Sequence, residues 1–173
     1  MSFLARLEEE KLKRVRSILR ESGVREVYAK PIVEYLAGLS EFVEVKGALL
    51  YGSVARGKAM YRKSDVDLIV VSDDFERPYG EIFSMRRRFR GGLPGIVEAL
   101  WVSPRELESM FRGFTGFVLD AVYEGVVLLD DNGFIQQLRR RLVNALMEGR
   151  AERHKRFWRI PIREVGERVT VEL

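Results

Sequence analysis

The chain of 173 residues contains no cysteine and a single histidine, His154. The first absence rules out disulfides and thiolate metal sites, and the second leaves no basis for a zinc centre. No apolar run approaches the roughly eighteen residues that a membrane span needs, and the charged N-terminal stretch lacks a signal-peptide core. A cytoplasmic protein is therefore expected. Asparagine and glutamine are scarce, and arginine outnumbers lysine more than threefold. That balance is the one expected of a thermophilic source. What remains is an ordinary globular composition, 46% hydrophobic and 32% charged, long enough to bury a core. The net charge of +4 and the pI near 9.5 favour anionic partners such as nucleotides, nucleic acid or an acidic protein.

Periodicity predicts a helix over about 3–20, with Leu4, Leu7, Leu12, Val15 and Leu19 on one stripe and Gly23 as its stop. A second helix is expected to start at Pro31 and to bury Ile32, Tyr35, Leu36 and Leu39. Strands follow at Val45 to Tyr51 and Val66 to Ser72, joined by a link short enough to suit an antiparallel return. Pro78 to Arg90 reads as a helix with Ile82, Met85 and Phe89 inward and its arginines outward. Gly91 to Gly95 breaks it before a strand at Ile96 to Val102. Ser103-Pro104-Arg105-Glu106 is a capping box. A helix near Phe117 to Tyr123, a strand at Val126 to Leu129 and a long helix from about Gly133 to Glu148 complete the pattern. The helix is capped by Asp130-Asp131-Asn132, and a further edge strand is expected at Arg168 to Leu173.

The chemistry concentrates in two stretches. Leu50-Tyr51-Gly52-Ser53-Val54-Ala55-Arg56-Gly57 reads as a phosphate-cradling turn. In Ser64-Asp65-Val66-Asp67-Leu68 two acids alternate on an otherwise apolar strand. Alternate strand residues share a face about 7 Å apart, a spacing from which two carboxylates grip one divalent ion or bridge two. Gly52 admits a phosphate close to its backbone, and Ser53 caps the short helix and offers its hydroxyl to the same group. Arg56, Lys58, Arg62 and Lys63 supply charge for a triphosphate tail. A third carboxylate is expected on a neighbouring strand, and Glu98, in Val97-Glu98-Ala99, is the acid expected to lie buried there. It would bind the catalytic metal and take the proton of an attacking hydroxyl.

Gly52-Ser53, eleven intervening residues, Asp65-Val66-Asp67 and the later triplet Val97 to Ala99 resemble the DNA polymerase β-type nucleotidyltransferase superfamily. Within it the chain is most similar to the minimal, MNT-type members. The likeness is tight over about residues 48–72 and looser out to about 131. It implies an α+β fold with a mixed sheet flanked by helices. It also implies two Mg²⁺ ions, and transfer of NMP from ATP or another NTP with pyrophosphate release. By the same carry-over Asp65, Asp67 and Glu98 are the metal-binding and catalytic acids, and Gly52 and Ser53 form the phosphate turn. The small members more often have aspartate as the third acid. Residues 41–131 would form the core, 1–40 a helical extension, and 132–173 a helix and basic tail packed on that core.

Small proteins resembling this one often act as antitoxins that adenylylate a tyrosine of a HEPN-type toxin, so such a partner is the leading expectation. The alternatives are an antitoxin or scaffold acting by contact alone, and transfer to a small molecule or RNA end. Arg86-Arg87-Arg88 reads as a solvated helix face rather than a nucleic-acid patch. Trp158, set with Phe157 among tail arginines, reads as closing the core while the arginines stay in water, rather than as part of a base-stacking surface. Arg150 to His154 falls one residue short of the Arg-x4–6-His motif, so the chain does not resemble the toxin itself. A homo-oligomer is compatible with all of this.

Overall fold

The computed structural model describes residues 3–60, 63–89, 95–155, 157–161 and 173, without the side chains of 3–8. Helices α1 (Phe3–Glu21) and α2 (Glu26–Ser40) precede strand β1 (Gly47–Tyr51) and the single turn α3 (Gly52–Ala55). Strand β2 (Val66–Val71), a 3-10 turn, α4 (Tyr79–Phe89) and β3 (Val97–Val102) follow. Then come α5 (Pro104–Arg112), α6 (Gly116–Glu124), β4 (Val126–Asp130) and α7 (Phe134–Met147). A small hairpin, β5 (Glu152–Arg153) with β6 (Trp158–Arg159), closes the described chain.

The four-stranded sheet has the order β3-β2-β1-β4. β1 runs antiparallel to both β2 and β4, whereas β2 and β3 are parallel. The short link through α3 thus makes the antiparallel return expected of it, and the α4 crossover supplies the length that a parallel pair requires. Alternation along β1 and β2 sorts the side chains onto two covered faces. Ala48, Leu50, Val66, Leu68 and Val70 pack with α1, α2 and α4, and Leu49, Ile69 and Val71 pack with α5, α6 and α7. Burial on both faces explains the near-continuous apolar runs of these two strands. Among the described residues no helix is long and apolar enough to cross a membrane.

Val15 and Leu19 anchor α1 in the first core, and Gly23, at φ +72°, ends the helix. The Val24 N–H donates to the Leu19 carbonyl and the Gly23 N–H to that of Arg20, a Schellman pair that only a left-handed residue closes without strain. Pro31 does not begin α2. It lies inside the helix, which starts a turn earlier because Tyr28 and Ala29 already face the core. So near the N-terminus the missing proline N–H costs a single hydrogen bond of the helix. The arginine run of α4 is not uniformly outward either. Arg86 turns inward and lies 5.4 Å from the ring centroid of Trp101, where a guanidinium gains from the aromatic face. Trp101 stacks on Phe75 and donates from Nε1 to the Tyr35 hydroxyl at 2.7 Å.

The Ser103 capping box is present in full. Its hydroxyl accepts from the Glu106 N–H at 3.1 Å, and Glu106 Oε2 accepts from the Ser103 N–H at 2.8 Å. Ser103 is buried, so alanine there removes a partner that water does not replace. Ser103→Ala is expected to cost about 1 kcal/mol. Calorimetry should show Tm falling by about 2–4 °C.

At the start of α7 the Asp130 carboxylate accepts from the N–H groups of Ile135 and Gln136, the capping role expected of that acidic segment. Arg139 of α7 donates to the carbonyls of Val122 and Gly125 and so caps the C-terminal end of α6. Trp158 packs at the edge of the second core and donates from Nε1 to Asp120 at 3.0 Å, in keeping with its reading as a packing residue. The strand expected at 168–173 falls almost wholly outside the described residues.

Candidate active site

At one end of the sheet three side chains line up across three adjacent strands. Tyr51, the last residue of β1, is paired in register with Asp67 of β2, and Asp67 with Glu98 of β3. Neighbouring strands lie about 4.8 Å apart, so the row is a compact one. By alternation it occupies the sheet face covered further along by α5, α6 and α7. Asp65 stands just before β2, exposed at the mouth of the same row.

Gly52 follows Tyr51 directly, at φ +73°. A Cβ built there would lie 2.1 Å from Asp67 Oδ2, so the carboxylate rests against the bare backbone of the turn. Any side chain at 52 would displace it. The turn and the acid are thus one unit, which explains why a glycine precedes Ser53. Ser53 does not cap the short helix. α3 begins at Gly52 with Tyr51 in the capping position, which places Ser53 inside the first turn, among the N–H groups that a helix start leaves without intrahelical acceptors.

Electrostatics mark Asp67 as the strained member. Burial, then the charges of Glu98 and Asp65, push its carboxyl above the usual aspartate range, with Arg56 pulling the other way. The Tyr51 hydroxyl is pushed up too, by burial and then by Asp67 and Glu98. Nothing in the sequence singled out Tyr51. Its signal was its place one residue before Gly52 at the end of a central strand. Its ring lies 6.2 Å from that of Phe117, which is 42% exposed at the start of α6, so an aromatic wall flanks the acids.

Glu98 differs from expectation. It is exposed rather than buried, because β3 is an edge strand whose first half is only partly covered. Arg56 is engaged with Glu124 of α6 at 3.1 Å. Lys58 and Lys63 are exposed on the loop that returns to β2, and Arg62 lies outside the described residues. The loop is anchored from α2, since Arg25 donates to the Ala59 carbonyl and Tyr28 to that of Met60. Ser64 tightens it further by accepting from the Met60 N–H at 2.9 Å.

Among the described residues no three His, Asp or Glu side chains converge tightly enough to cage a metal ion. The donor set nevertheless suits a hard divalent cation, since the row offers only oxygen. The mutual repulsion that raises the Asp67 carboxyl is what a bound cation would relieve. The residues present therefore fit a hard divalent cation by the chemistry of their donors.

Neither a curated protein nor a solved structure matches the chain significantly. The family model described as a nucleotidyltransferase domain matches residues 32–147, a span that holds the turn, the two aspartates and Glu98. With its mixed sheet, its glycine turn and its acid row, this chain belongs to the nucleotidyltransferase-domain family.

Proposed function

We propose that the protein transfers a nucleoside monophosphate, AMP from ATP, to an acceptor hydroxyl with release of pyrophosphate, in the cytoplasm and with two Mg²⁺ ions. The observation that carries this reading is Asp67, pressed against Gly52 and crowded by Glu98 and Asp65. A turn made for phosphate and an acid cluster made for a cation share one wall there. Asp65 and Asp67 would hold the cation that accompanies the triphosphate. Glu98 would hold the second one and would accept the proton of the acceptor hydroxyl. Bound Mg²⁺ supplies charge neutralisation at the attacking and leaving oxygens. The Gly52 backbone lets a phosphate approach, Ser53 donates to it, and Arg56 and Lys63 offset the charge of the tail. The chain's own contribution is positioning and electrostatics, as in phosphoryl transfer generally.

The acceptor is a tyrosine on a partner protein, a HEPN-type toxin that this protein neutralises as its antitoxin. Incubating a candidate toxin with ATP, Mg²⁺ and this protein should add AMP to one tyrosine, read by mass spectrometry. A toxin that is silenced yet carries no AMP would sink the acceptor assignment. A second reading is neutralisation by contact, with nucleotide merely bound. Under it, an Asp67→Asn protein would still neutralise the toxin fully.

A further inference from the structure

Arg56 acts on two carboxylates. Its guanidinium donates to Glu124 Oε1 at 3.1 Å, and its charge also bears on Asp67 across the turn. Glu124 is not dependent on Arg56. Its other oxygen, Oε2, accepts from Arg153 of β5 at 2.5 Å. Arg153 in turn is firmly seated. It reaches Asp120 at 3.5 Å and lies 4.7 Å from the ring centroid of Tyr123 and 5.7 Å from that of Trp158. Trp158 is itself fixed to Asp120 by its Nε1. Both arginines hold the Glu124 carboxyl below the usual glutamate range, Arg153 more strongly than Arg56.

The asymmetry has a mechanical meaning. Arg56, with a side chain 41% exposed, is joined to one carboxylate among the described residues. Arg153 is held by two acids and two rings. If Arg56 swings away, Glu124 keeps a charged partner and no buried ion is orphaned. We infer that Glu124 is a competing carboxylate: it holds Arg56 until a polyphosphate at the Gly52–Ser53 turn takes the guanidinium over, and Arg153 makes that exchange cheap by keeping Glu124 neutralised. The hairpin β5–β6, remote in sequence from the turn, thereby sets how readily the turn gains its cation. This inference rests on the reading that the turn receives a triphosphate.

The test uses inorganic tripolyphosphate without metal, which carries no base, and measures its affinity by calorimetry at low salt. Glu124→Gln is expected to bind it about fivefold more tightly than the native protein, the scale of one partly exposed ion pair. The gain should disappear when Arg56→Gln is added. Arg153→Gln works in the opposite direction, since Glu124 then has Arg56 alone, and affinity should fall by a similar factor. It also provides an independent check should Glu124→Gln loosen the fold. Unchanged or weaker binding by a folded Glu124→Gln protein overturns the inference, as does a gain that survives loss of Arg56. Transfer of labelled nucleotide, followed in the same proteins, separates the two ideas. Tighter tripolyphosphate binding with no transfer sinks the transferase reading alone, and transfer with unaltered affinity sinks the competing carboxylate alone.

Discussion

Asp67→Asn should yield a folded protein whose nucleotidyl transfer falls by about a thousandfold or more. On the proposed reading that Asp67 would hold a cation, the estimate follows from losing one charged ligand worth several kcal/mol in the transition state, at 1.36 kcal/mol per factor of ten. The same substitution should stabilise the protein in EDTA near neutral pH. In the folded state burial and two neighbouring acids raise the Asp67 carboxyl above its unfolded value of 3.8. An acid raised in this way binds its proton more tightly when folded. Its favourable contribution is therefore complete below pH 3.8 and is lost as pH rises through the raised value. At neutral pH the ionised carboxylate is a burden that asparagine removes. Melting curves in EDTA should show the variant about 1–3 °C higher at pH 7, with the difference closing as pH falls towards 3.8. Adding Mg²⁺ should raise the native Tm and narrow the gap from the other side, because a cation relieves the same repulsion. A variant that melts lower at pH 7 would mean that Asp67 makes a stabilising contact the acid row does not account for.

Gly52→Ala is the second substitution with a large expected effect. Two costs add there. The residue sits at φ +73°, where a Cβ is strained, and that Cβ would overlap Asp67 Oδ2. Strain of this type costs about 1–3 kcal/mol by itself. At about 2–4 °C per kcal/mol the melting temperature should fall by roughly 2–12 °C. Activity should vanish even well below the melting point, since the methyl drives the carboxylate from its place. Pairing the change with Asp67→Ala discriminates between the two costs. The shorter residue removes the overlap but not the strain, so the double variant should regain part of the stability and none of the activity. Full recovery of stability would show that φ at this position is freely adjustable.

The two halves of the site were legible for different reasons. Gly52-Ser53 and Asp65-Val66-Asp67 could be read because a glycine at a strand end and acids within an apolar run are locally costly, and so informative. The order of β1 and β2, their antiparallel pairing and the Ser103 box followed from link length and capping rules that act over a few residues. Glu98 was found by its position in an apolar triplet, but its exposure was not foreseen, because edge or centre is a property of the whole sheet. Pro31 misled because its favoured place at a helix start is a local preference, and burial of Tyr28 and Ala29 overrode it. Tyr51 passed unnoticed since a tyrosine ending a strand is unremarkable until its cross-strand partner is known. The link from Arg56 through Glu124 to Arg153 spans three distant segments, and no pattern within a window reports it.

The strand order carries one more consequence, for how the site comes apart. Asp67 rides on β2, which has a paired neighbour on each side, whereas Glu98 rides on β3, which has one. Backbone amides of an edge strand open more often than those of a flanked one, at a free energy below that of global unfolding. Deuterium should therefore enter the backbone around Glu98 well before that around Asp67. Each such opening separates the two acids while β1 and β2 stay paired. The protein can thus lose its chemistry, and regain it, many times within the lifetime of one folded molecule.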